Sequence, residues 1–145
     1  MPITRISPAE AAAKLLEGLT YVDVRSEEEF ADGHPEGAVN VPWAHMSAGG
    51  MTPNPDFVAA MNALFSKAEP KVVLGCRSGN RSMRAAEALL ADGWGPLFEQ
   101  RAGWDGVRDP FGKVSENGWA RSGLPVATGQ PEGRSWADVK KKVHP

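Results

Sequence analysis

One short run, Cys76-Arg77-Ser78-Gly79-Asn80-Arg81-Ser82, carries the only cysteine of the 145-residue chain together with two arginines and two serines. A thiol among guanidiniums has the composition of a nucleophile that handles anions, because the thiolate is the reactive form and neighbouring positive charge favours it. A free thiol titrates near pH ~8.5, so such a loop must acidify its cysteine to work at neutral pH. Two sources are at hand. Backbone N–H groups in a loop that opens a helix can point at the sulfur and add the positive end of the helix dipole. Arg77 and Arg81 add full charges that face the thiolate and any anionic substrate. Gly79 lets the backbone turn through conformations closed to other residues, while Ser78 and Ser82 bring hydroxyls that can donate to sulfur or to an oxyanion. The plain alternative is a buried cysteine packed as a small hydrophobe, for which glycine, serine and arginine make a poor setting. His34, His45 and His144 are distant in sequence, so a cysteine–histidine dyad has only long-range support and the loop carries no base of its own. His34, in a turn, and His144, near the end, read as solvated surface residues, whereas His45 stands in a loop that could line a pocket.

The elements around the loop follow from pattern. Val72-Val73-Leu74-Gly75 is an apolar run of strand type, with Lys71 to Leu74 as the strand, and Met83, Ala86, Leu89 and Leu90 recur at helical spacing up to Gly93. The cysteine loop therefore joins the C-terminal end of a strand to a helix, where α/β proteins bind anions. Ile3 to Ile6, Tyr21 to Val24, Ala38 to Val41 and Leu97-Phe98 supply four further strands. Ser7-Pro8-Ala9-Glu10 forms a capping box for a helix from Pro8 to Glu17, with Ala11, Ala12, Leu15 and Leu16 as its apolar stripe and Gly18 at its end. Ser26 caps a second helix through Phe30, and Asn54-Pro55 caps a third whose Phe57, Val58, Met61, Leu64 and Phe65 share a face. Residues 46–54 read as a loop, 105–118 as an irregular insertion, and Ser135 to Val143 as a closing helix anchored by Trp136, Val139 and Val143. Strands alternating with helices imply an α/β fold: a central, mostly parallel five-stranded sheet with helices on both faces.

Composition narrows the class. At 41% hydrophobic the chain can bury one core, and a formal charge of -2 argues against nucleic-acid binding, so attraction for anions has to be local. A single cysteine excludes an internal disulfide, and no stretch is apolar or long enough for a signal or a membrane span. A soluble, cytoplasmic protein is expected, with neither metal nor cofactor. Lys140-Lys141-Lys142 reads as a solvated helix face rather than a docking patch.

The ordered motifs Tyr21-Val22-Asp23-Val24-Arg25, Glu28-Glu29-Phe30, Gly33-His34-Pro35-Glu36-Gly37-Ala38-Val39-Asn40-Val41-Pro42, the cysteine loop, and Trp119-Ala120-Arg121-Ser122-Gly123-Leu124-Pro125-Val126 together resemble a single-domain rhodanese over roughly residues 3–126. The resemblance implies a rhodanese-like three-layer domain at 1–126, with 127–145 as an extension that packs on it or trails from it. It implies a thiosulfate-type sulfurtransferase, monomer or homodimer, that carries sulfane sulfur as a persulfide on Cys76. The donor would be a small sulfur anion, and the acceptor cyanide, a thiol or a protein. The Cys76 to Ser82 loop would bind the donor, with Asp23 and Arg25 as supports from the neighbouring strand end and Trp104 near the pocket. Two rivals share the architecture. The resemblance implies that a cysteine-based phosphatase or arsenate reductase would end its loop, with the arginine, at a seventh position, whereas Arg81 is sixth counting from Cys76; a non-catalytic regulatory module has no need of an activated thiol. Ala102-Gly103 stands where such proteins usually have a glycine pair, which leaves the shape of the pocket rim open.

Overall fold

The computed structural model describes residues 2–145; Met1, the first residue of the expected domain, lies outside them. In chain order the chain forms β1 (Ile3–Ile6), α1 (Pro8–Leu16), β2 (Thr20–Asp23), α2 (Glu27–Asp32), β3 (His34–Pro35), β4 (Val39–Asn40), β5 (Ala44–Ser47) and β6 (Gly50–Pro53). There follow α3 (Phe57–Leu64), β7 (Val72–Gly75), α4 (Asn80–Ala91), β8 (Leu97–Gln100), β9 (Val107–Arg108), β10 (Val114–Glu116), β11 (Val126–Ala127) and α5 (Trp136–Val139), with single 3-10 turns at Trp119–Arg121 and Lys140–Lys142.

Five strands pair in the order β1-β8-β7-β2-β4, and every pairing is parallel. Alternation along these strands sends side chains to two cores. Val22, Val72, Leu74 and Leu97 pack with Phe57, Met61, Ala85, Leu89, Trp136 and Val139, which puts α3, α4 and α5 on one face. Tyr21 and Val73 pack with Ala11, Phe30 and Trp119, which puts α1 and α2 on the other. Each large apolar side chain so buried contributes about 1.5–3 kcal/mol, and a sheet covered on both faces explains why its strands read as continuous apolar runs.

The expected capping box at Ser7 forms, and the expected Ser26 cap is part of a second one. Ser7 Oγ accepts from Glu10 N–H while Glu10 accepts from Ser7 N–H, and Ser26 and Glu29 repeat the arrangement. The tail closes on the edge of the sheet: Asn40 N–H donates to Arg134 C=O at 2.8 Å, and Trp136 and Val139 enter the core.

Several expectations are corrected. Residues 46–54 are not an open loop but most of the β5–β6 hairpin, with Met46 facing Met51. The insertion 105–118 contains a second hairpin, β9–β10. Leu16 is 91% exposed because α1 ends there and turns it away from the sheet. Met83 is only half-buried; small residues, Ser82, Ala85 and Ala86, occupy the face of α4 that lies closest to the strands. Asp56 rather than Asn54 is the N-cap of α3. His34 is fully buried, stacked on Phe30 at 3.7 Å with Nδ1 2.7 Å from Phe30 C=O, so it belongs to the core and not to the surface.

Candidate active site

Parallel register brings the C-terminal ends of three strands together: Asp23 pairs with Gly75, and Leu74 with Glu99. Gly75 is required there, since a Cβ would fall 1.8 Å from the Tyr21 hydroxyl. The chain then leaves β7 as the cysteine loop and enters α4 through Gly79, whose φ of 99° lies in the left-handed region. That turn aims Gly79 N–H at the sulfur, 3.1 Å from Cys76 Sγ. Ser82, in the first turn of α4, places Oγ 3.3 Å from the same sulfur. On its other side Ser82 donates to Glu99 Oε2, and Glu99 Oε1 accepts from Arg5 Nε at 2.7 Å.

The segment after β8 holds the loop from behind. Gln100 builds the turn: its Oε1 accepts from Ala102 and Gly103 N–H at 2.7 and 2.9 Å, and its Nε2 donates to Gly103 C=O at 2.9 Å. From this turn Trp104 N–H donates to Cys76 C=O at 2.8 Å and Asp105 N–H to Arg77 C=O at 2.9 Å. Gly103 needs a φ of 65°, whereas Ala102 has an ordinary negative φ and a fully buried methyl. Alanine in place of the first glycine therefore leaves the turn unstrained.

Each arginine of the site has a carboxylate partner. Arg25 lies against Asp23, with Nη2 to Oδ2 at 2.7 Å, and both are almost fully buried; Arg25 also donates to Gly33 C=O. Arg81 grips Glu29 with two bonds of 2.6 and 3.0 Å, and Arg77 pairs with Asp105 on the exposed side. The two loop arginines are thus not the free cations that the sequence suggested.

Cys76 opens into a cleft of about 540 Å³. Its walls are the loop residues Arg77, Ser78, Asn80 and Arg81 on one side and Trp43, Met46 and Met51 of the hairpin region on the other. Arg25 and Trp104 line a separate cavity of about 280 Å³ beside Arg77 and Asp105, with the Arg25 guanidinium 5.0 Å from the Trp104 ring. The structure therefore brings the loop together as expected, places Asp23 and Arg25 behind it, and puts Trp104 next door rather than in the cleft. His45 packs toward Trp136, with ring centroids 6.0 Å apart. Among the described residues no cluster of three or more His, Cys, Asp or Glu is arranged to hold a metal ion.

Sequence reasoning misses Glu29, Glu99, Asp105 and the two methionines. Glu99 does leave a signal, a glutamate inside an otherwise buried parallel strand, where an ionisable side chain has to have a partner. The hairpin methionines leave none, because Gly49-Gly50 and the nearby prolines speak for a loop.

Burial opposes the charge of Glu29, but hydrogen bonds from Arg81, that cation's field and bonds from Ser26 overcome it and hold the carboxyl at about 2, against 4.5 ordinarily. A depressed acid contributes stability above its unfolded pKa and loses it as pH falls toward the folded value. Acid unfolding should therefore show a loss of about 2–3 kcal/mol between pH 4.5 and about 2 that is missing in Glu29→Gln. Parallel acid titrations of both proteins by circular dichroism check this, and identical curves would remove the pair from the stability of the site.

The family model of the rhodanese-like domain matches residues 7–109. "Thiosulfate sulfurtransferase 16, chloroplastic" of Arabidopsis thaliana is 40% identical over 121 residues, 83% of this chain and 90% of that protein. "Senescence-associated protein DIN1" of Raphanus sativus is 35% identical over 82% of this chain, which spans only 58% of that protein. Among solved structures, Rv0390 from M. tuberculosis superposes with a TM-score of 0.71 at 32% identity, covering 87% of this chain and 98% of that one.

Proposed function

Because this chain belongs to the rhodanese family, with its model matched over residues 7–109, we propose that it is a sulfurtransferase that moves sulfane sulfur through a persulfide on Cys76. The observation that carries this reading is the position of Cys76 Sγ at the foot of an open cleft, with Gly79 N–H pointing at it and the N-terminus of α4 beginning at the next residue. Thiosulfate enters the cleft, Sγ attacks its outer sulfur, and sulfite leaves. The persulfide that remains is anionic at its outer atom, and the loop N–H groups with the positive end of the twelve-residue helix α4 stabilise it. Arg81 and Arg77 line the same cleft, so a doubly charged donor meets guanidinium N–H groups at contact even though each cation is shared with a carboxylate.

The acceptor comes from outside, since the chain has no second cysteine to displace the sulfur as a disulfide. The cleft has room for more than a five-atom anion, and the apolar side chains of Trp43, Met46 and Met51 line its far wall. Those features favour a thiol carried on a larger molecule over cyanide as the working acceptor.

Incubation with thiosulfate, desalting and intact-mass measurement test the proposal. The protein should gain the mass of one sulfur atom and lose it to cyanide as thiocyanate. A protein that gains no sulfur but hydrolyses an aryl phosphate would instead establish the phosphatase-type reading.

A further inference from the structure

Glu99 is 0% exposed, lies beneath the cysteine loop, and has no task in sulfur transfer as described. Among the described residues its carboxylate accepts hydrogen bonds from Arg5 Nε on Oε1 and from the Ser82 hydroxyl on Oε2. A hydroxyl has one proton to give. When Ser82 gives it to Glu99, the Ser82 oxygen can only accept from Cys76, 3.3 Å away, so the three groups form one directed chain from sulfur through Oγ to Oε2. We infer that Glu99 is the proton acceptor for Cys76, acting through Ser82. The timing of its action rests on the sulfur-transfer reading.

In the first half-reaction the S–H bond breaks and its proton passes to Ser82 Oγ, while the former Ser82 proton passes to Glu99 Oε2. The electron pair left on Sγ forms the bond to the outer sulfur of thiosulfate. The sulfur–sulfur bond of the donor breaks with both electrons going to sulfite. In the second half the acceptor's electron pair takes the outer sulfur, the electrons of the Sγ–S bond return to Sγ, and the proton comes back along the same chain. Nothing has to be exchanged with solvent, which suits a sulfur whose residue is 2% exposed and a serine and glutamate that are wholly buried. Arg5, half-exposed on β1, balances the carboxylate so that its burial is tolerated. The other charged or titratable groups that face this chain are Arg101 at the end of β8, toward Glu99, and Arg81 and Tyr21, toward the sulfur.

The test follows the thiol without using thiosulfate: alkylation of Cys76 by iodoacetamide across pH, in the native protein, Glu99→Gln and Ser82→Ala. At about pH 6 both variants should react roughly a hundredfold more slowly than the native protein. The three rates should converge above about pH 9, where the thiolate forms unaided. The double variant should be no slower than either single one, because the two groups act as a unit. A Glu99→Gln protein that reacts as fast as the native one, or faster, would overturn the inference, since removal of a merely electrostatic negative charge favours the thiolate. A loss of equal size at every pH would do the same and leave only a structural role. If Glu99→Gln does not fold, the pH profile of Ser82→Ala alone supports or overturns the relay by the same criteria. A protein that shows the expected alkylation profile yet gains no sulfur from thiosulfate would keep the relay and lose the sulfur-transfer reading.

Discussion

Cys76→Ser should gain no sulfur from thiosulfate and release no thiocyanate, while unfolding with nearly the native midpoint. Serine is close to cysteine in size and keeps a polar atom where Gly79 N–H and Ser82 Oγ can reach it, so the loop has no reason to rearrange. What disappears is nucleophilicity, because an alkoxide is far harder to form than a thiolate, and a carboxylate able to take a thiol's proton through Ser82 is too weak a base for a serine hydroxyl. The experiment pairs intact-mass analysis after thiosulfate with a thermal melt. A Cys76→Ser protein that still takes up sulfur would remove this residue as the carrier, and one that loses both sulfur uptake and its fold would show that Cys76 packs as core.

Gly103→Ala should be a damaging exchange of one small residue for another, and one aimed directly at the cysteine loop. A Cβ there would lie 2.4 Å from Arg77 C=O oxygen, 2.5 Å from the carbonyl carbon and 2.6 Å from Cys76 C=O oxygen. These are backbone atoms of the loop itself and cannot swing aside. The residue also has a φ of 65°, which adds conformational strain to the clash. A cost of about 2–4 kcal/mol is expected, and pushing the loop out by even an ångström should lower sulfur uptake by about a hundredfold. Ala102→Gly, one position earlier, should cost only about 1 kcal/mol, as loss of a buried methyl and added backbone freedom. Denaturant unfolding of the two variants side by side checks the contrast, and equal effects would mean that the brace is not what holds the loop.

The sheet and the loop are legible in the sequence because both rest on local signals. Five apolar runs, the Ser7 capping box, the Ser26 cap and Gly79 at a strand-to-helix turn each declare themselves within a few residues. His34 misleads because its turn-like neighbours, Gly33 and Pro35, say nothing of Phe30 stacked beneath it. Arg77 and Arg81 look free for a similar reason: their partners, Asp105 and Glu29, are 28 and 52 residues away, and only the fold brings them within reach. The β5–β6 hairpin is hidden because its strands are mostly exposed, so neither periodicity nor apolar content marks them.

The carboxylate partners of the arginines have a consequence for how a donor arrives. Asp23 with Arg25, Glu29 with Arg81, Asp105 with Arg77 and Glu99 with Arg5 are four acids matched to four bases. Seen from bulk solution these are dipoles rather than charges, and their fields die away well within a screening length of about 8 Å. On the proposed reading the cleft would not draw an anionic donor from afar as a basic funnel would; it would recognise the donor on arrival, when its oxygens are near enough to tell guanidinium from carboxylate. Capture should then proceed at an ordinary diffusive pace with little sensitivity to salt, and the selection of one anion over another falls to fit inside the loop.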